Sequence, residues 1–159
     1  MMKLKGKSVP TGYRELRQDP AANTLVFVYG TLKRGYGNNR LLRDGDARFI
    51  GEASTLFPYF RLYGRGIPFM ALERDESRGL NVKGEVWEVD PNCLQRLDWL
   101  EGHPHMYTRQ TIEVLTDEGP CQAEAYLYLH PVSEDMDDLR DEYRGYVGGR
   151  TRYGARRDG

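Results

Sequence analysis

The stretch "KGEVWEVDPNCLQRLDWLEGHPHMYTR", residues 83–109, decides the fold class. It begins as a strand. In "LNVKGEVWEVD" Val82, Val86 and Val89 are among the apolar positions, and Gly84 shifts the phase, which predicts a bulge. A helix follows at once. Asp90 is placed as N-cap, Pro91 fits the first helical position, and Gly102 is placed to end it. Alternation then resumes in "YTRQTIEVL" (107–115). A strand, a capped helix and another strand within so short a span point to an α+β domain.

The helix carries one residue out of place. On a wheel at about 100° per residue with Leu94 at zero, Leu97 lies near roughly 300°, Cys93 near roughly 260° and Leu100 near roughly 240°. These four define an expected buried stripe, opposite Gln95, Arg96 and Trp99. Glu101 falls at roughly 340°, between Leu97 and Leu94, and Asp98 flanks it at roughly 40°. A carboxylate at the edge of an apolar face should have a raised pKa, because desolvation disfavours the anion. The negative end of the helix dipole acts in the same direction. Such a group can take and return protons near neutral pH. The plainer alternative is a frayed last turn with Glu101 in water.

Upstream, "TLVFVY" (24–29) reads as a buried strand and "GTLKRGYGNN" (30–39) as a loop. "RLLRDG" (40–45) suits one helical turn, while "ARFIGEAST", "LFPYFRLYG" and "IPFMAL" (67–72) are strand-like. Downstream, "QAEAYLYLH" (122–130) alternates, and "SEDMDDLRDEYRGY" (133–146) reads as a final helix capped by Ser133. Six or seven strands with few helices predict a curled, mostly antiparallel sheet. The expected organisation is a polar arm at 1–22, a domain at 23–146 and a Gly/Arg-rich tail at 147–159.

Bulk properties narrow the function. At 159 residues the chain suits one domain with a real core. A net charge of −1 gives no global field toward nucleic acid or membrane, and no apolar run is long enough to span a bilayer. The basic start lacks the apolar centre of an export signal, so Cys93 and Cys121 are expected as thiols in a reducing, cytoplasmic setting. The C-terminal stretch "YRGYVGGRTRYGARRDG" (143–159) sets five arginines (Arg144, Arg150, Arg152, Arg156, Arg157) against Asp158. It reads as a solvated tail, with RNA or an acidic partner as the lesser alternative.

The glycine loop matches no nucleotide motif. Gly30 and Gly35 have the spacing that opens a phosphate loop, but Tyr36 and Gly37 stand where Lys and Ser/Thr are required. Arg40 occupies the third-glycine place of the dinucleotide fingerprint. Lys33 and Arg34 remain as possible attractors of a carboxylate, against the reading of a plain surface loop.

Taken together, "VFVYGTLKRGYGNNRLL" and "KGEVWEVDPNCLQRLDWLEGHPHMYTR" resemble the gamma-glutamylcyclotransferase-like, or AIG2-like, family. The closest similarity is to its gamma-glutamylamine cyclotransferase branch. The carriers are the YGTL loop, then L-D-x-x-E and Y-x-R, in order, with the resemblance covering about residues 24–130. The resemblance implies a small mixed, mostly antiparallel β-barrel with a few flanking helices. It implies that Tyr29, Gly30, Thr31 and Leu32 hold a γ-glutamyl group through backbone N–H groups. Glu101 matches the acid/base. Ile67 and Pro68 resemble a strand edge that walls the pocket, and Tyr128 a tyrosine lining it. Tyr107 and Arg109 match the Y-x-R marker, whose role is open between structure and function.

The implied chemistry needs few side chains. A γ-glutamyl amide carries its own nucleophile, so ring closure gives 5-oxoproline and expels an amine. Holding that curl can replace about 7–11 kcal/mol of barrier in the best intramolecular cases. Glu101 would move protons, and main-chain N–H groups would meet the charged oxygen or anchor the α-carboxylate. No metal or cofactor is expected. His103 and His105 match no common zinc spacing. Asp98 and Glu101, one turn apart, make a poor glycosidase pair, and Asp98 reads as a local brace. A non-catalytic binding or interaction module on the same fold is the rival reading. The leaving amine and the oligomeric state are not specified by the sequence.

Overall fold

The structure is a computed structural model and describes residues 22–145. The expected arm at 1–22, apart from Ala22, and the tail at 147–159 lie outside the described residues. The elements in chain order are β1 (Thr24–Val28), α1 (Asn39–Asp44), β2 (Arg48–Thr55), β3 (Phe60–Gly64), β4 (Pro68–Leu72), β5 (Lys83–Val89), α2 (Pro91–Glu101), β6 (Thr108–Thr116), β7 (Gly119–Leu127) and β8 (Asp137–Arg140). Five strands close into a barrel in the order β1-β5-β2-β6-β7. The seam between β1 and β7 is parallel, and the other barrel pairs are antiparallel. A second sheet has the order β4-β3-β8.

The continuous apolar run of β1 follows from burial on both faces. Leu25 and Phe27 join the barrel interior with Val86, Val114, Ala123 and Ala125. Val26 and Val28 face outward into a second cluster with Trp87, Val89, Cys93 and Leu97, which seats α2 on the barrel. A five-stranded barrel is narrow, so its interior is filled by side chains and favours small residues beside large ones. Gly84 shows why. A Cβ there would lie 2.3 Å from the Val28 carbonyl oxygen and 2.7 Å from the Phe27 ring.

Helix α2 is capped as the sequence requires. The Asp90 carboxylate accepts from the Cys93 N–H at 2.7 Å, and Gly102 takes the left-handed conformation, φ 64°. Its buried stripe is narrower than the wheel. Cys93 and Leu97 are buried, Leu94 is half-buried, and Leu100 is 41% exposed. Among the described residues no helix is long and apolar enough to cross a membrane.

Two expectations fail. The bulge lies in β2 between Phe49 and Gly51, while Gly84 stays in register opposite Ala53. Glycine at that position answers a close backbone approach instead. Nor do residues 133–145 form a helix: they hold β8, paired to β3, and Tyr146 lies outside the described residues. The cause is a tertiary ion pair overriding local propensity. Arg61 is buried, and Asp138 supplies its two-pronged counter-charge at 2.9 and 3.0 Å. Gly84→Ala should lower unfolding free energy by about 3 kcal/mol through overpacking, as measured by denaturant titration. A loss too small to measure would show that the barrel yields at this contact.

Candidate active site

Glu101 is the last residue of α2, and α2 delivers it beside the end of β1. One cleft, with about 30 Å³ of room, is lined by Phe27, Val28, Tyr29, Gly30, Thr31, Leu32, Tyr126 and Glu101. Five residues named from the sequence thus meet there: Tyr29, Gly30, Thr31, Leu32 and Glu101. Glu101 is half-buried and has no hydrogen-bond or ion-pair partner among the described residues. Burial lifts its pKa to about 7. The carboxyl and its surroundings also push up the Tyr29 and Tyr107 hydroxyls, for which desolvation is the larger cause.

The loop after β1 is a braced cradle. Lys33 N–H bonds back to the Gly30 carbonyl at 3.0 Å, and Asn38 N–H to that of Thr31 at 3.0 Å. Asn38 Nδ2 donates to Thr31 Oγ1 at 2.9 Å, and Asn39 Nδ2 to the Leu32 carbonyl at 2.8 Å. Among the described residues, nothing accepts from the N–H groups of Gly30, Thr31 or Leu32. Three consecutive donors left open at a cleft can receive an anion or a charged carbonyl oxygen. Gly30 itself is fixed by contact, because a Cβ there would sit 2.7 Å from Pro68 Cγ.

The sequence of residues 26–146 matches the family described as gamma-glutamyl cyclotransferase, AIG2-like. The chain belongs to this family. A putative gamma-glutamylcyclotransferase of Methanocaldococcus jannaschii is 35% identical over 123 residues, covering 77% of this chain and 98% of that protein. The gamma-glutamylaminecyclotransferase of Bos taurus is 42% identical over 106 residues, covering 64% of this chain and 63% of its own length. The crystal structure of an AIG2-like protein from Mus musculus superposes with TM-score 0.67 at 30% identity, covering 77% of this chain and 89% of that one. Family, branch and barrel therefore agree with the resemblance seen in the sequence.

Other family-implied residues are spread around this cleft. Pro68 packs against Gly30 and accepts from the Tyr107 hydroxyl at 3.3 Å through its carbonyl. Ile67 is 48% exposed on the turn before β4 and does not line the cleft. Tyr128 is likewise outside it, its ring tilted against that of Phe69 at 4.5 Å and meeting Tyr107 at 6.2 Å. It lines a wider cleft of about 720 Å³ with Tyr63, Leu72, Glu73, Arg74 and residues 129–132. Volume alone would select that cleft, but Glu101 and the open N–H groups are elsewhere. Tyr126 was missed from the sequence, although strand alternation places it on the same face as Tyr128. Its hydroxyl donates to Asp98 at 2.7 Å, so it links the cleft wall to α2.

Lys33 and Arg34 do not serve the cleft. Lys33 Nζ donates to the Tyr143 carbonyl at 2.9 Å, and Arg34 holds Glu85 at 3.0 Å. Asp98 is the brace expected of it, held by Arg109 at 2.8 and 3.2 Å. His103 Nδ1 accepts from Arg109 N–H, and no cluster of metal-ligating side chains occurs among the described residues.

The raised pKa has a stability consequence. Between about 4.5 and about 7 the folded state keeps a proton that the unfolded chain has lost. The associated stability is full below about 4.5 and is lost as pH rises through about 7. Glu101→Gln should therefore melt progressively higher than the parent as pH rises from 4 to 8, measured by thermal scans. Parallel pH profiles for the two proteins would contradict the desolvated carboxyl.

Proposed function

We propose that this enzyme of the gamma-glutamylcyclotransferase type closes a γ-glutamyl amide on itself, releasing 5-oxoproline and an amine. The observation that carries the reading is one cleft holding a carboxyl with a pKa near 7 and three open main-chain donors. As it stands the cleft accepts a single carbonyl-sized group. The γ-carbonyl enters, and the rest of the substrate lies across the mouth.

The ionised Glu101 takes a proton from the substrate's α-ammonium. The freed amine attacks the γ-carbonyl carbon, a new C–N bond closes the five-membered ring, and negative charge develops on the oxygen. The N–H groups of Gly30, Thr31 and Leu32 meet that charge in place, without the reorganisation that water would need. Collapse of the intermediate breaks the bond to the departing nitrogen, which receives the proton held by Glu101. The attacking nitrogen loses a second proton as the lactam forms. The same carboxylate passes it on, and the amine leaves as an ammonium ion. A pKa near 7 lets one group act as base and then as acid at neutral pH.

The test is 5-oxoproline release from a panel of γ-glutamyl amides, read by mass spectrometry. The parent protein should turn over at least one of them, with kcat/KM rising through pH 7. Glu101→Gln should still bind that amide while its turnover falls by about 100-fold or more. Near-normal release by the Gln variant would eliminate the mechanism.

A further inference from the structure

Residues 141–145, which follow β8, meet the glycine loop at Lys33 and Tyr36. They replace the helix the sequence suggested. Lys83 N–H donates to the Asp141 carbonyl at 2.8 Å, which ties the segment to the start of β5. Tyr143 is buried in the barrel core cluster. Its ring meets that of Tyr36 at 5.4 Å. Gly145 covers the other part of that ring, where a Cβ would come within 3.2 Å of Tyr36 Cε1. Lys33 is the key contact. Its side chain passes into the interior at 7% exposure, and Nζ donates to the Tyr143 carbonyl and stands 5.3 Å from the Tyr36 ring centroid.

Lys33 immediately follows Leu32, and its own N–H closes the turn on the Gly30 carbonyl. The loop that carries the three open donors is thus tied by that turn and, at the next residue, by the Lys33 ammonium on the Tyr143 carbonyl. Burial lowers the Lys33 pKa, so keeping the charge there costs stability. A flexible lysine in solvent would avoid that cost and would not fix the loop.

We propose that Lys33 is a positioning residue, which clasps the 141–145 strap and so holds the Gly30–Leu32 donors at the geometry the reaction needs. The proposal rests on the cyclotransferase reading for its effect on rate, but not for its effect on the loop. Lys83 provides the control. It also reaches the strap, at 3.8 Å to Asp141 and 4.0 Å to Glu142, but its side chain is 56% exposed, whereas that of Lys33 belongs to the loop itself.

The experiment compares Lys33→Met, Lys33→Arg and Lys83→Met at a temperature where each is folded. Two readouts are taken: amide hydrogen exchange across residues 30–38, and kcat and KM for 5-oxoproline release. Lys33→Met should speed exchange in 30–38 and lower kcat by about tenfold or more, with the rise in rate still centred near pH 7. Lys33→Arg should restore most of the protection and most of kcat. Lys83→Met should leave both within about twofold of the parent. Unchanged exchange in Lys33→Met, or a loss no larger than in Lys83→Met, overturns the proposal. If the parent releases no 5-oxoproline, the reaction assignment fails, and the exchange comparison still decides whether Lys33 holds the loop.

Discussion

The site depends on one clamp. The Arg109 guanidinium grips both oxygens of Asp98 at 2.8 and 3.2 Å and reaches Glu124 at 2.8 Å. Glu124 also accepts from Thr111 at 2.6 Å, and Asp98 from Tyr126 at 2.7 Å. These bonds join the last turn of α2 to β6 and β7. A single exposed ion pair would contribute little, but a two-pronged arginine within a network holds geometry. One helical turn beyond Asp98 stands Glu101. The two carboxyls therefore divide the work: the first fixes the helix and the second is left unpaired beside the cleft.

The barrel supplies the other half of the site. Its narrow interior takes alternate residues of β1, and the outer layer takes the rest. Strand β1 is thereby locked on both faces up to the point where the glycine loop begins. Pro68 then presses on Gly30 from β4. The loop turns where its backbone has no room for a side chain, and it lines the same cleft as the carboxyl. Each half is built by ordinary packing, and Glu101 and the glycine loop come together where the halves meet.

Much of this was legible in the sequence. Asp90, Pro91 and Gly102 mark α2 by local rules, and the wheel position of Glu101 already set it beside Leu97. The YGTL loop was recognisable as a unit. The destinations of long side chains were not legible. Lys33 and Arg34 read as possible attractors of a carboxylate or as part of a plain surface loop, and both side chains are held by the fold. The segment from Ser133 had helical composition, but the need of buried Arg61 for Asp138 drew it into a strand. Gly84 signalled an irregularity, and only the three-dimensional approach of Val28 distinguishes a bulge from a contact. Such choices are made between residues far apart in the chain, where periodicity carries no information.

The central claim is that burial alone holds the Glu101 carboxyl near neutrality without a partner. Its titration can be followed directly by NMR of the side-chain carboxyl carbon in the substrate-free protein, with Glu101→Gln to assign the signal. The account predicts a midpoint near pH 7. A midpoint at the ordinary glutamate value of about 4.5 would contradict it.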